Sequence, residues 1–214
     1  MVRGAREPSA RSEATRASIL KNAERLFAET GFDKTRLEDI AEAVGIRRAS
    51  IVYYYRDKAE VYDAVLEGVF GNFRERLDAA FKTRGTLHER IEAAIAAWVD
   101  YVGERPSFAR ILLREIANGT AGVDSAAAPH VLPYLPLVQA FIEDNKDQMD
   151  ELRSIAPAHV AATIAGATIF FVAGLPVLVG TTAGFDPLSS EHMAAHREEV
   201  LRIARRLLRE KNGD

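Results

Sequence analysis

Arg47 and Arg48 stand side by side at the head of a short helical stretch, and Arg36 opens the stretch before it. A guanidinium is planar and forks onto paired acceptors, so these side chains suit either the O6/N7 edge of guanine or a phosphate, two roles that stay comparably open for each of them. Over Gly45–Lys58 the basic residues Arg47, Arg48, Arg56 and Lys58 are opposed by Asp57 alone, a local charge of +3. Ser50 and Tyr53 share the exposed side of that stretch and add hydrogen-bonding groups. Other chemistry finds no such grouping. The chain has no cysteine, which excludes disulfides, thiolate metal sites and thiol nucleophiles. His192 and His196 are four apart but lack the glutamate of H-E-x-x-H between them, so they read as a surface or interface pair, with no metal expected. Neither G-x-x-x-x-G-K-[ST] nor G-x-S-x-G occurs, Glu38, Asp39 and Glu42 read as a solvated helix face, and no enzymatic function or cofactor is expected.

Basic side chains read DNA only when a rigid support sets them on one surface. Ile19, Leu20, Ala23, Leu26 and Phe27 recur at the spacing of one helix face over Ser12–Thr30, and Gly31 stops that helix. Thr35 stands as the N-cap of a short helix through Leu37, Ile40, Ala41 and Val44, which Gly45 ends. A second short helix covers Ile46–Tyr54, and Lys58 opens a longer one through Val61, Val65, Val69, Phe73 and Leu77. A helix-turn-helix over Leu37–Tyr55 needs a small residue where the helices cross, a turn residue that tolerates positive φ, and apolar pins that fix the angle. Ala41, Gly45 and the set Ile40, Val44, Ile46 and Ile51, closed by Tyr54, supply all three at the required offsets.

At these residues the chain resembles a known family. The stretch Ile19–Leu66, with LFAETGFDKTRLEDIAEAVGI and YYYRDKAEVY, is similar to the N-terminal domain of the TetR family of one-component transcriptional regulators. The motif covers about the first 65 residues; beyond them the likeness is in length, helix order and an apolar penultimate helix. It implies a domain that binds operator DNA as a dimer, usually represses, and is released by a small molecule held in the C-terminal domain. Tyr54 and Lys58 match the family's backbone-clamping Tyr and Lys, and Tyr55 takes the place of its usual core Phe. Thr35, at the N-terminus of the second helix, is placed to offer its hydroxyl and nearby N–H groups to a phosphate, to cap, or both. Two positions depart from the pattern: Arg47 replaces a frequent Ser or Thr, and Val52 replaces a Tyr. Two phosphate-binding hydroxyls are thereby lost, and the charge of Arg47 compensates.

The remainder continues the helical period, without the period-2 alternation of strands and without repeats. Helices are expected over Leu87–Val102, from Pro106 through Leu112 to Ala117, from near Pro136 through Val138, Phe141 and Ile142, from Pro157 to about Gly180, and from Ser189 or Ser190 through Met193, Val200, Ile203, Leu207 and Leu208. Asn118–Ala128 reads as a loop. Ala156–Phe185 holds no Asp, Glu, Lys or Arg and is long enough to cross a bilayer. Its Gly166, Gly174, Pro176 and Gly180, and the lack of basic anchors on both flanks, favour instead a helix buried on most sides. Ala162, Gly166 and Phe170 are spaced for close contact, so this helix and the last one, with Val200, Ile203 and Leu207, are expected to form a four-helix seam between two protomers. Trp98, Tyr101, Phe108, Leu112, Phe141 and Phe170 are candidates for an apolar effector pocket, with His88, Arg110, Arg114 or His130 as polar handles, although core and pocket share one composition.

The 214 residues, 48% apolar and 28% charged, therefore predict an all-α chain of about nine helices: a helix-turn-helix DNA-binding domain over 1–60 and an effector-binding and dimerisation domain over 61–214. Net charge is -3, which taken alone disfavours a polyanionic partner. Divided at residue 60 it becomes +2, from 12 Lys+Arg against 10 Asp+Glu, on the head and -5 on the body. The expected function is a ligand-responsive regulator, a repressor, binding a pseudo-palindromic double-stranded operator as a homodimer and released by a small apolar or aromatic effector. The alternative is a helical small-molecule-binding protein without DNA-binding activity. Met1–Arg16 carries Arg3, Arg6, Arg11 and Arg16 and no apolar run of export-signal length, so a cytoplasmic protein without membrane attachment is expected.

Overall fold

In the computed structural model, residues 10–118, 126–151, 157–179 and 185–207 are described, and every regular element among them is helical. The first nine residues, most of the loop predicted over 118–128, and the helix ends predicted at Gly180 and Leu208 lie outside the described residues.

Helix α1 (Ala10–Thr30) buries Ile19, Ala23 and Phe27 and packs on α2 (Leu37–Val44), which in turn packs on α3 (Arg48–Tyr54). α4 (Lys58–Phe81) follows a side-chain cap, Asp57 accepting from the Glu60 N–H at 2.9 Å. Its apolar stripe Val61, Val65, Val69, Phe73 and Leu77 recurs at helical spacing and is fully covered. One end of the helix packs on α1, and the whole lies along α5 (Leu87–Glu104), which Thr86 and Glu89 open with a capping box. One contiguous core runs from Ile19, Ile40 and Ile51 through α4 to Tyr101 of α5 and to Phe108 and Ile111 of α6 (Pro106–Asn118). Buried side chains of α4 thus belong to the same core as those of α1–α3 and of α5–α6.

The rest of the body is shorter-paced than its sequence suggests. α7 (Ala128–Val131), α8 (Tyr134–Asp144) and α9 (Lys146–Glu151) occupy the stretch where one helix from near Pro136 is expected. α8 starts two residues earlier because a proline in a first turn costs no hydrogen bond. The apolar segment is α10 (Pro157–Ile169), a π-helical turn over Phe170–Gly174, and α11 (Leu175–Val179). Pro176 cannot donate to the Val172 carbonyl and its ring would crowd it, so a wider turn just ahead of it absorbs the fault. A Cβ at Gly174 would lie 2.8 Å from the Phe170 ring, which would have to shift to admit it.

A second, smaller core joins α5, α10 and α12 (Ser190–Leu207) through Ile95, Val99, Ile164, Val200, Leu201 and Ala204. The expectation that the apolar helix is buried on most sides does not hold within one protomer. Ala158–Val179 has a mean hydropathy of 2.1 over its most apolar stretch, of which 17% is buried. Ile164, Thr168 and Val172 face inward, while Ala162, Gly166, Phe170, Val177 and Leu178 stand exposed.

Candidate nucleic-acid interface

The turn between α2 and α3 is built on Gly45, at φ +75° and ψ 33°, a left-handed conformation that side chains with a Cβ rarely adopt. Its N–H closes on the Glu42 carbonyl and that of Ile46 on Ala41, both at 3.0 Å, so the end of α2 is capped as the chain reverses. Ile40, Ala41 and Ile51 are buried against α1 and lock the angle between the two helices.

That packing sends Arg36, Arg47, Arg48 and Tyr53 to the surface, Tyr53 being 81% exposed, with Ser50 and Tyr54 half-buried beside them. Tyr53 and Tyr54 meet edge to face at 5.0 Å, and the Ser12 hydroxyl of α1 donates to the Tyr54 hydroxyl at 3.3 Å. Tyr55 is buried, as its expected core role requires, with Arg16 Nε donating to its hydroxyl at 3.0 Å.

One sequence-based role changes. Thr35 is 1% exposed and its hydroxyl lies 2.7 Å from the Gly31 carbonyl and 2.8 Å from the Thr30 hydroxyl. It neither caps α2 nor offers its side chain outward: the residue at the N-cap is Arg36, whose backbone N–H donates to Asp39 at 2.8 Å. Asp39 is therefore a capping group as well as part of a polar face, and an acid three residues after a helix start was the signal for it. Lys58 does not reach freely into solvent. Its ammonium donates to the Phe32 carbonyl at 2.7 Å and sits 4.1 Å over the Phe32 ring, tying the start of α4 to the loop before α2. Sequence reasoning also missed the ion pair between Arg48 Nε and Glu38 Oε1, 2.8 Å apart. Those residues lie ten apart on different helices, a separation without a periodic signature.

Polar ties bind the head to the body. Glu24 of α1 accepts from Arg105 Nε at 2.7 Å and from Ser107, while Arg105 Nη1 donates to the Gly68 carbonyl of α4 at 2.8 Å. Burial works against the charge of Arg105, but Glu24 outweighs it and holds the guanidinium protonated even more firmly than usual. Arg114 of α6 donates to the Ala28 and Glu29 carbonyls at 3.2 and 2.7 Å, capping the end of α1. Tyr62 of α4 donates to Glu115 at 2.7 Å, and its hydroxyl is pushed well above the ordinary tyrosine range, first by burial and then by that carboxylate. A cleft of about 820 Å³ lies along this seam, between α1, α4 and α5, and its facing charges Arg76 and Glu104 pair at 2.6 Å.

The six residues expected to line an effector pocket do not all come together. Trp98, Tyr101 and Phe108 pack around Phe73, with ring centroids 5.2, 5.4 and 5.9 Å from it, and Tyr134 joins at 5.7 Å. Leu112 packs at the border of the same core. Phe141 lies elsewhere, stacked on Phe81 at 4.0 Å, and Phe170 is 54% exposed, so neither belongs to this cluster. Tyr101 and Tyr134 donate their hydroxyls to the Val69 and Phe70 carbonyls of α4, whereas the buried Trp98 Nε1–H has no partner among the described residues. Of the polar handles, Arg114 is engaged on α1, and buried His130 sets its two ring nitrogens 3.0 and 2.9 Å from Glu67 and Asp63. Arg110 and His88 are half-buried.

The expected dimer residues also divide. Ala162, Gly166 and Phe170 share the open face of the apolar segment, Ile203 is exposed on α12 and Leu207 half-buried. Val200 points inward, 2% exposed in the α5–α10–α12 core, and is unavailable to a partner.

Residues 19–65, which span α1 through the first turns of α4, match the family model of bacterial regulatory proteins, tetR family. The N-terminal unit is a TetR-family domain. A repressor named KstR2 from Rhodococcus jostii is 33% identical over 100 residues, 42% of this chain and 49% of that protein. The biofilm operon negative regulator IcaR of Staphylococcus epidermidis is 44% identical over 55 residues, 26% of this chain and 30% of the relative. These matches span half or less of the curated relatives' length. In fold the likeness extends further: the ketosteroid regulator KstR2 of Mycobacterium tuberculosis superposes with a TM-score of 0.70 at 18% identity, covering 94% of this chain and 96% of that one. The regulator FadR of Bacillus subtilis, solved with stearoyl-CoA, gives 0.65 at 16% identity, covering 88% and 96%. The likeness in fold thus extends through the rest of the chain, where sequence identity has faded.

Proposed function

We propose that the chain is a ligand-responsive transcriptional repressor that binds a pseudo-palindromic operator as a homodimer. The observation that carries the reading is the face formed by Arg36, Arg47, Arg48 and Tyr53, held outward by a helix-turn-helix whose own core is buried. The arginines at the start of α3 supply base readout or phosphate contact, and the first-turn N–H groups of α2 take the phosphate role expected of the Thr35 hydroxyl. The named relatives are themselves transcriptional regulators, two of them described as repressor or negative regulator, which supports a regulatory rather than an enzymatic role. Work on chromosomal DNA is consistent with the cytoplasm.

The open face of Ala162, Gly166 and Phe170, continued by Val177 and Leu178, supports a second protomer as its cover. The orphan indole N–H of Trp98, set among aromatic rings, supports an effector that combines an apolar or aromatic body with a hydrogen-bond acceptor. Such a ligand displaces the dimer from DNA only by binding one arrangement of head and body better than the other, and α4 with the Glu24–Arg105 tie is the path between them. The test is a gel shift of the full chain on the DNA upstream of its own coding region, then a thermal-shift screen of apolar and aromatic acids and ketones. A hit that raises the melting temperature and releases the DNA supports the reading; retention of small molecules with no shift of any DNA favours the ligand-binding alternative.

A further inference from the structure

We propose that Glu38 is a positioning residue for sequence readout, holding Arg48 in the orientation that addresses guanine; the inference rests on the DNA-binding reading above. Glu38 lies in the first turn of α2 and Arg48 opens α3, so the pair spans the Gly45 turn. Their side chains are 62% and 58% exposed, and no burial forces them together. As a contribution to stability such an exposed pair is worth little. Its place on the recognition face gives it another consequence.

The Glu38 carboxylate lies 2.8 Å from Arg48 Nε as an ion pair, and the Arg48 side chain makes no directed hydrogen bond among the described residues. An ion pair across the turn keeps the guanidinium on the recognition face, where its nitrogens can meet O6 and N7 of one guanine. Holding a long side chain beforehand also reduces the rotamer freedom lost on binding. The same carboxylate works against wrong sequences. A negative charge facing a polyanion is unfavourable unless Arg48 stays beside it, so at a non-guanine base Arg48 either forfeits its acceptors or abandons Glu38 for a phosphate. Glu38 therefore weakens general DNA affinity and sharpens discrimination.

The experiment selects duplexes from a randomised double-stranded library with the full wild-type chain. The consensus duplex, copies with each guanine changed to adenine, and an unrelated duplex are then titrated with wild type, E38Q, E38A, R48A and the E38A/R48A double variant. Melting temperatures confirm that each variant is folded. The expected result is that E38A lowers discrimination at one symmetric pair of guanines by about tenfold, E38Q by less, and that both bind the unrelated duplex more tightly than wild type. In the R48A background, E38A changes the discrimination no further, because its effect passes through Arg48. Unchanged discrimination, an equal loss at every position, or a changed preference at another base pair overturns the inference and leaves DNA binding intact. A wild-type chain that enriches no duplex overturns the DNA-binding reading and this inference with it.

Discussion

At the scale of single residues, the recognition face separates side chains that reach outward from those that hold the face in place. Arg48 is of the first kind: R48A is expected to weaken operator binding by about 1–3 kcal/mol and to relax preference at one base pair. Titration against the selected duplex and its guanine-to-adenine copies checks both effects. Thr35 is of the second kind, occupied with Gly31. Why some of this was legible in sequence is physical. Gly45, Ala41, Ile40 and Ile51 are fixed by sterics at set offsets along neighbouring turns, so their types announce the motif. Thr35 was misplaced by one position because a threonine before a helix looks like a cap whether its hydroxyl turns forward to the helix or back to a carbonyl. The Glu38–Arg48 contact depends on the crossing of two helices, which no local pattern encodes.

Helices, taken as units, depend on polar ties at a few points. The Glu24–Arg105 pair joins α1 to the α5–α6 corner with side chains 14% and 24% exposed. Removing one partner leaves the other charge poorly solvated, so R105M is expected to destabilise the chain toward the lower end of about 3–5 kcal/mol, read from a denaturant midpoint. Joint replacement of Glu24 and Arg105 by apolar residues is expected to recover much of that loss while uncoupling effector binding from DNA release. Helix order and most helix ends could be predicted because caps, glycines and 3.6-residue periods are local. The π-helical turn before Pro176 and the short α9 could not, since they answer to a proline fault and to packing. The pocket was the least legible feature: Trp98, Tyr101 and Phe108 share a cluster while Phe141 and Phe170 do not, and composition is the same inside a core and around a ligand.

For the whole molecule, the open apolar face and the charged head are two halves of one arrangement. G166E places a charge where nothing lies within 4 Å of the added Cβ, so the protomer should keep its fold while sedimentation shows monomers in place of dimers. His196 reports on the neighbouring packing: its ring stacks on Phe171 at 4.1 Å, and burial lowers its pKa below the ordinary value of about 6.5. Above that value the histidine is neutral in both folded and unfolded chains. As the pH falls through it the unfolded chain takes up the proton first, and stability declines. Denaturation midpoints of wild type should drop below about pH 6.5, with a shallower slope in H196Q. The net charge of -3, which seemed to disfavour DNA, is the sum of a basic head and an acidic body. Dimeric operator binding through α3 is read from a hydroxyl-radical footprint of the full chain on its selected duplex. Two symmetric protected patches are expected, centred about 34–36 Å apart along one face of the helix or a multiple of that spacing, both lost when Arg47 and Arg48 are replaced by alanine. A single patch, or protection that survives that double replacement, would contradict dimeric binding through α3.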